Sequence, residues 1–555
     1  MGASSWHGLT AEMSKRIRAA EPSRRFRSLS RLTQEFWPTI ILGIFYSTQL
    51  VGWPPHYEDE AWIWTPAINS LLGFGVSFPS FGHSTDMTPL FNYVAAVFLR
   101  LSPFDFWLTV RGLALLSLIA INLTTSRFLK NVLSTHNTWL FQSLLMSIPL
   151  ADGLLFARLE VFAFAISWLA ILTRTSAHRA VQLLSGPIFA IAVSIHPLTL
   201  VLSPFLFVQP ANNSGGTRRE TRALLAKHVR FSLLFALCLV LFNLKILLSW
   251  QEYLQVLRRA GSSSRVFTGE DRWNFIFMPL MSIWRFAHQF ALPNALLEMG
   301  VRYEDDIGSW QLVDKGIAGL FIVFLIMGTV AIARRQPGWL VASLGAIVIH
   351  SLVVSRGETY YLAVLAPIFV AVLTTRDSIP TRHVRLGVVV LGVCAIKLFA
   401  VTYIPSLYSS VVQTQFAMNA ESPYDYTRQL NDAIPENSVV VGTIALRAVL
   451  DDRPDVAVYG ITALTEANEG FGQRIDDCEQ VRVRLQEIWS RHPGKQRFVI
   501  LYGTWQSRAF SQYSRTFDES DFGCVISDVA STRTVAGVSD NGVAWEWIIR
   551  SYGTS

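Results

Sequence analysis

Apolar runs recur along the chain between residues 38 and 405, separated by short polar stretches, and give way after about residue 420 to short alternating segments. Hydrocarbon offers backbone N–H and C=O groups no water, so a spanning segment must satisfy them internally, as a helix of about 20 mostly apolar residues. On that criterion the runs at 38–53, 106–126, 139–157, 159–174, 180–195, 197–208, 231–249, 315–333, 338–354, 359–375 and 385–405 predict about eleven spans. The pair 180–208 is interrupted at His196-Pro197, which predicts a helix kinked or re-entrant there, because proline removes one helical hydrogen bond and crowds the preceding turn.

The polar connections alternate in character. The N-terminal arm, 1–37, carries Arg16, Arg18, Arg24, Arg25, Arg27 and Arg31, and no small-residue cleavage site follows the first apolar run, so it reads as a retained cytoplasmic arm. Arg127 and Lys130 follow the second span, and Arg174 and Arg179 the fourth. Arg218, Arg219, Arg222, Lys227 and Arg230 precede the seventh, Arg334 and Arg335 follow the eighth, and Arg376, Arg382 and Arg385 separate the tenth from the eleventh. Basic residues on every second connection are the positive-inside pattern. The opposite connections include outer loops at 54–105 and 250–314 and carry most of the acidic residues. Within the first, 60–73 and 89–101 are apolar but too short to cross, and read as helices lying at the outer membrane surface, with Trp62 and Trp64 suited to the interface.

An odd number of crossings leaves the polar tail outside. There 438–444, 497–503 and 544–552 read as strands and 479–491 as a helix. The predicted fold class is a polytopic α-helical membrane body, 38–415, followed by a small α/β soluble domain, 416–555. The tail contains no GxGxxG, Walker A or hydrolase-elbow sequence.

Composition agrees. The 555 residues are 51% hydrophobic and only 16% charged, against about 25% charged in soluble domains. The net charge of +7 does not point to nucleic acid, because the basic residues sit between the apolar runs. Cys238 and Cys394 lie within those runs and read as inert core thiols. Cys478 and Cys524 fall in the tail, where an oxidising compartment permits a disulfide.

Candidate chemistry gathers on one predicted face. Glu58, Asp59 and Glu60 are consecutive carboxylates just beyond the first span. They read either as a solvated loop end or, at a membrane boundary that raises the cost of adjacent like charges, as a functional cluster. Glu160 follows Arg158 at the outer start of the fourth span, either as an Arg–Glu helix cap or as a second carboxylate of the same cavity. Arg356, Glu358, Tyr360 and Tyr361 lie at the outer entry of the tenth span, either as an interfacial anchor or as a phosphate site, since a guanidinium offers a phosphate two parallel hydrogen bonds. His196 reads as a helix break or a ligand. A carboxylate base beside an Arg-lined phosphate site suits transfer from a lipid-linked phosphosugar, whose phosphate is already a competent leaving group.

In these residues the chain resembles the GT-C glycosyltransferases of the bacterial protein-mannosyltransferase and aminoarabinose-transferase type. The resemblance covers about 38–405 as an ordered series. It begins with Asp59-Glu60, then a Pro-Leu-x-x-Tyr helix (Pro89, Leu90, Tyr93) and Arg111 early in the second span. Arg158-x-Glu160, the His196-Pro197 break and an Arg356, Tyr360, Pro367 element follow. It implies an inverting transferase in the cell membrane, with a polyprenyl-phosphate sugar as donor and an extracytoplasmic acceptor. Asp59 would be the base, Glu60 its companion, Glu160 a second cavity carboxylate, and Arg356 a donor-phosphate contact. Arg158 and Tyr360 stand beside Arg356 in that role, and Glu58, His196 and Arg111 are further candidates. Some members also place a divalent cation at the acidic motif. Where relatives commonly carry Pro-Pro-Leu, often after a Lys, this chain reads Met87-Thr88-Pro89-Leu90.

Two other classes compete. A transporter or flippase of a lipid-linked substrate would show internal repeats and mid-membrane charges, whereas the charges here cluster at the outer edge. A non-catalytic scaffold with a partner-binding tail would leave the gathering of acidic and basic residues on one face without a purpose.

Overall fold

The computed structural model describes residues 35–44, 47, 89–104, 106–131, 135–147, 159–176, 178–208, 218–248, 250, 283, 319, 322–323, 325–334, 336–353, 363–375, 430–442, 450, 453, 455–460, 478–502, 529–538 and 544–553. The body is helical: α1 (Glu35–Ile44), α2 (Pro89–Leu101), α3 (Phe106–Phe128), α4 (Thr135–Ser147), α5 (Leu159–Arg174), α6 (Arg179–Ile195), the 3-10 helix η1 (Pro197–Leu206), α7 (Arg218–Phe242), α8 (Leu325–Arg334), α9 (Pro337–Val353) and α10 (Ala366–Thr374). Within α3 and α7, Leu108–Phe128 and Leu224–Phe242 are long and apolar enough to cross a membrane. Leu116, Leu184, Leu233, Leu237 and Val341 are each more than half exposed. An apolar outer surface of that extent suits hydrocarbon and not water.

The centre of the body is an antiparallel hairpin, α5 and α6, packed against α3, α7 and η1. The buried core of the body includes Phe164, Trp168 and Ile171 from α5 and Phe189 and Val193 from α6. Rings of Phe128, Trp168, Phe205 and Trp339 pack in series, with centroids 5.6–6.0 Å apart from one ring to the next. Close backbone approach rests on small residues, as expected where helices pack without a hydrophobic driving force. A Cβ at Gly186 would lie 3.1 Å from the Phe231 carbonyl oxygen, so α7 crosses α6 where a side chain is missing. Polar side chains also link helices: Asn137 Nδ2 donates to the Thr374 carbonyl at 2.7 Å, Asn122 Nδ2 to the Gln142 carbonyl at 3.1 Å, and Asn243 Nδ2 to Ser194 Oγ at 2.7 Å.

Some expectations change. The segment expected as a span at 197–208 is a 3-10 helix, entered through His196 in an extended conformation (φ −149°, ψ 120°). Pro197 and Pro204 lack the N–H groups that would continue α6 as an α-helix. The helix expected at 231–249 begins at Arg218, so the basic cluster is helical, and the one expected at 139–157 begins at Thr135. Cys238 is free but half-buried on α7 instead of lying in the core. The expected helix at 60–73, Cys394, Cys524 and the span at 385–405 lie outside the described residues.

Residues 430–553 contain a five-stranded mixed sheet of β1 (Ser438–Gly442), β2 (Ala457–Gly460), β3 (Gln496–Tyr502), β4 (Val529–Val538) and β5 (Ala544–Tyr552), in the order β2-β1-β3-β5-β4. β1 pairs parallel with β2 and β3; β5 pairs antiparallel with β3 and β4. The helix α11 (Cys478–Ser490) covers one face, where Val481, Leu485 and Ile488 meet Val439, Val441 and Val499. On the other face Val440, Phe498 and Ile549 meet Leu430 and Ile434. Burial of both faces explains why β1 reads as an unbroken apolar run.

Candidate functional site

Glu160 occupies the first turn of α5 and is 4% exposed. Its carboxylate faces the imidazole of His196, with Oε1 and Nε2 3.7 Å apart. Chain direction produces the meeting, since α5 starts where α6 ends. The helix dipole suits the carboxylate, because an acid is favoured at a helix N-terminus. His196 Nδ1 accepts the Leu198 backbone N–H at 3.3 Å, so its ring proton sits on Nε2, toward Glu160. The separation exceeds a direct hydrogen bond and makes the contact electrostatic. His196 is thus the break between helices and also a neighbour of the carboxylate.

The helix α2 closes against this end of the hairpin. The Phe91 ring lies 6.0 Å from that of Phe162, one turn into α5. Asn92 beside it is 1% exposed, whereas Tyr93, the tyrosine of the Pro-Leu-x-x-Tyr element, is 53% exposed. Sequence reasoning named Tyr93 and missed Asn92; the available signal was a lone amide within the apolar stretch PLFNYVAAVFLRL. Arg111 is 3% exposed on α3, which packs on α5. A guanidinium so enclosed is anchored within the protein, and it is not a solvated topological charge.

The structure therefore brings together Glu160 and His196 and buries Arg111. Glu58, Asp59, Glu60, Arg158, Arg356 and Tyr360 lie outside the described residues, so the Arg158–Glu160 cap and the acidic loop remain sequence expectations. Among the described residues no group of three or more His, Cys, Asp or Glu side chains is placed to hold a metal ion.

No family model and no curated protein matches the chain by sequence. Solved structures do match in shape, and they include an ArnT and an oligosaccharyltransferase. An apo ArnT from Cupriavidus metallidurans superposes with a TM-score of 0.52 at 11% identity, covering 95% of this chain and 99% of that one. The same protein bound to undecaprenyl phosphate gives 0.48 at 12% identity, over 95% and 98%. An apo oligosaccharyltransferase from Archaeoglobus fulgidus gives 0.43 at 11% identity, over 94% and 74%. Of these three the first carries the likeness of fold, and it extends over nearly the whole of both chains.

Proposed function

We propose that the chain is a membrane-embedded inverting glycosyltransferase that moves a sugar from a polyprenyl-phosphate donor to an extracytoplasmic acceptor, whether protein, lipid or envelope glycan. The observation that carries this reading is the full-length likeness of fold to an ArnT. The Glu160–His196 pair at one end of the hairpin adds a carboxylate held in the body at the end where the sequence puts the Asp59-Glu60 loop. In this reading the eleven-span topology sets the N-terminal arm in the cytoplasm and 416–555 outside.

Asp59 accepts the acceptor hydroxyl proton as that oxygen attacks the anomeric carbon. The bond from that carbon to the lipid phosphate oxygen breaks on the opposite face, and the phosphate leaves with the electron pair. One base suffices, because the phosphate needs no protonation to depart. Glu60 and Glu58 flank the base, and Glu160, oriented by His196, shapes the cavity charge. Arg356, with Arg158, Tyr360 and the buried Arg111, supplies the positive field for the departing phosphate. Two adjacent carboxylates also form an oxygen donor set of the kind a hard divalent cation takes.

The test is transfer from a polyprenyl-phosphate sugar by the purified full chain in liposomes, with and without chelator. Asp59→Asn is expected to lower turnover about 100-fold or more while donor binding persists. Unchanged turnover in that variant removes the mechanism.

A further inference from the structure

At the other end of the hairpin, α7 carries a feature that the transfer chemistry does not use. Its inner face is seated on α6 through Phe235, whose ring lies 5.5 Å from that of Phe189. Its outer face is an exposed stripe, Leu225, Val229, Leu233, Leu237 and Leu241, spaced at one-turn intervals and about 24 Å long. The stripe runs into a basic patch on the same helix: Lys227 half-buried, His228 half-buried, Arg230 exposed.

Beneath the patch lies Arg174, the last residue of α5, 4% exposed. Its donors go to neutral groups: Nε to the Leu206 carbonyl at 3.3 Å, and Nη2 to the Lys227 carbonyl at 3.3 Å and to His228 Nδ1 at 3.2 Å. Its guanidinium carbon stands 4.8 Å over the Phe231 ring. No carboxylate of the described residues forms an ion pair with Arg174, Lys227, His228 or Arg230. The acid next to them in sequence, Glu220, is on α7 itself, about 10 Å along the axis from Lys227. Among the described residues, positive charge therefore accumulates without an ion pair at the end of the apolar stripe.

We propose that this end of α7 binds an anionic phospholipid, with the headgroup phosphate between Lys227 and Arg230 and the acyl chains along the Leu225–Leu241 stripe. Lys227 and Arg230 are three residues apart and so share a face. Arg174 contributes its field from below without leaving its carbonyl partners. A free phosphate would use the charges but not the stripe, and a zwitterionic lipid the stripe but not the net charge, so an anionic lipid alone matches both. This inference concerns the basic end of the body and is independent of glycosyl transfer.

The experiment measures thermal unfolding of the purified full chain in phosphatidylcholine nanodiscs, without turnover, as phosphatidylglycerol replaces part of the lipid. Phosphatidylglycerol is expected to raise Tm by several degrees, while glycerol phosphate added free does not. Lys227→Gln/Arg230→Gln is expected to at least halve the shift, and Lys227→Arg/Arg230→Lys to retain it. In the wild-type protein, raising salt to about 0.5 M should shrink the shift by screening, a readout that survives even if the Gln variant folds poorly. Equal stabilisation by both lipids, a full shift from free glycerol phosphate, or a salt-insensitive shift would overturn the proposal.

Discussion

At the closed end of the α5–α6 hairpin, Arg174 is buried among two carbonyls, an imidazole and an aromatic ring. At the open end, about 21 Å away, Glu160 is buried with the imidazole of His196 at 3.7 Å. Both are enclosed charges on one helix, each placed where the helix dipole favours it. They differ in what surrounds them. Arg174 ties α5 to η1 and α7 through fixed backbone acceptors, an arrangement that serves folding. Glu160 is matched by a titratable side chain 3.7 Å away, an arrangement a reacting site can use.

The largest effect is expected at the closed end. Arg174→Met keeps much of the side-chain volume but leaves the Leu206 and Lys227 carbonyls without their donor, at about 2–4 kcal/mol in all. Arg174→Lys should restore only part, because one ammonium cannot reproduce the planar fork. Denaturant or thermal unfolding of the purified protein measures both; a Met variant as stable as wild type would erase the distinction between the two ends.

The open end should respond in activity more than in stability. Glu160→Gln is nearly isosteric and is expected to cost about 1 kcal/mol or less while lowering transfer at least tenfold. His196→Asn keeps a side-chain acceptor for the Leu198 N–H but removes the imidazole nitrogen that faces Glu160, which separates the helix break from the contact with the carboxylate. Transfer should fall in this variant with unfolding little changed. Loss of folding with normal specific activity in the surviving protein would instead make Glu160–His196 a second structural anchor.

How much of this contrast could be read in advance depends on what surrounds each residue. α5 was legible to its ends, 159–174, because its apolar run is bounded by charges, and β5 because its run of apolar and aromatic residues is bounded by polar ones. The start of α7 was not, because Arg218 to Arg230 reads as a polar loop until the apolar half of the helix extends it backward. β4, with the sequence VASTRTVAGV, is an exposed edge strand; its pairing with β5 defines it more than its own pattern does. Glu160 was singled out from its position, but its partner came from a contact across 36 residues that no local pattern encodes. Arg174 was counted as a topological charge, and only packing shows it buried.

The tail offers a third solution to charge placement and a smaller expected effect. Arg453 and Asp455 form a two-pronged pair, Nε to Oδ1 at 3.0 Å and Nη2 to Oδ2 at 2.9 Å. Arg453 also donates to the carbonyls of Asn431, Ile434 and Pro435. Asp455 Oδ2 accepts the N–H of Asn437, whose φ of 54° turns the chain into β1. The hydrogen bonds from Arg453, with that from Asn437, hold the Asp455 carboxyl well below the usual carboxylate range, against a smaller opposing effect of burial. A depressed folded pKa gives stability present above the unfolded value of about 4 and lost as pH falls toward the folded value. The pair is a third exposed at the acid, so solvent screening limits its contribution. Asp455→Asn should cost the sheet about 1 kcal/mol at neutral pH, with the gap closing in acid. Hydrogen exchange of β1 and β3 amides in the full chain reads this locally; a gap that stays constant with pH would show that geometry, not charge, sets the effect.

The smallest difference is expected at Tyr459 and His492, whose Oη and Nε2 lie 2.8 Å apart. Burial first, then the charges of Lys495 and Arg491, holds His492 below its ordinary pKa, so the fold favours the neutral ring. That contribution is present above the unfolded value of about 6.5 and is lost as pH falls through the folded one. Tyr459→Phe removes the hydroxyl that meets His492 and Arg491 and should lower protection of β2 by about 1 kcal/mol or less, an effect confined to the tail. His492→Gln should flatten the dependence of that protection between neutral and mildly acidic pH. Here a titratable imidazole is paired with a phenol, where Glu160 pairs with His196. If Tyr459→Phe lowers transfer as far as Glu160→Gln does, then the loss at Glu160 is not particular to the open end, and the case for a reactive end of the hairpin fails with it.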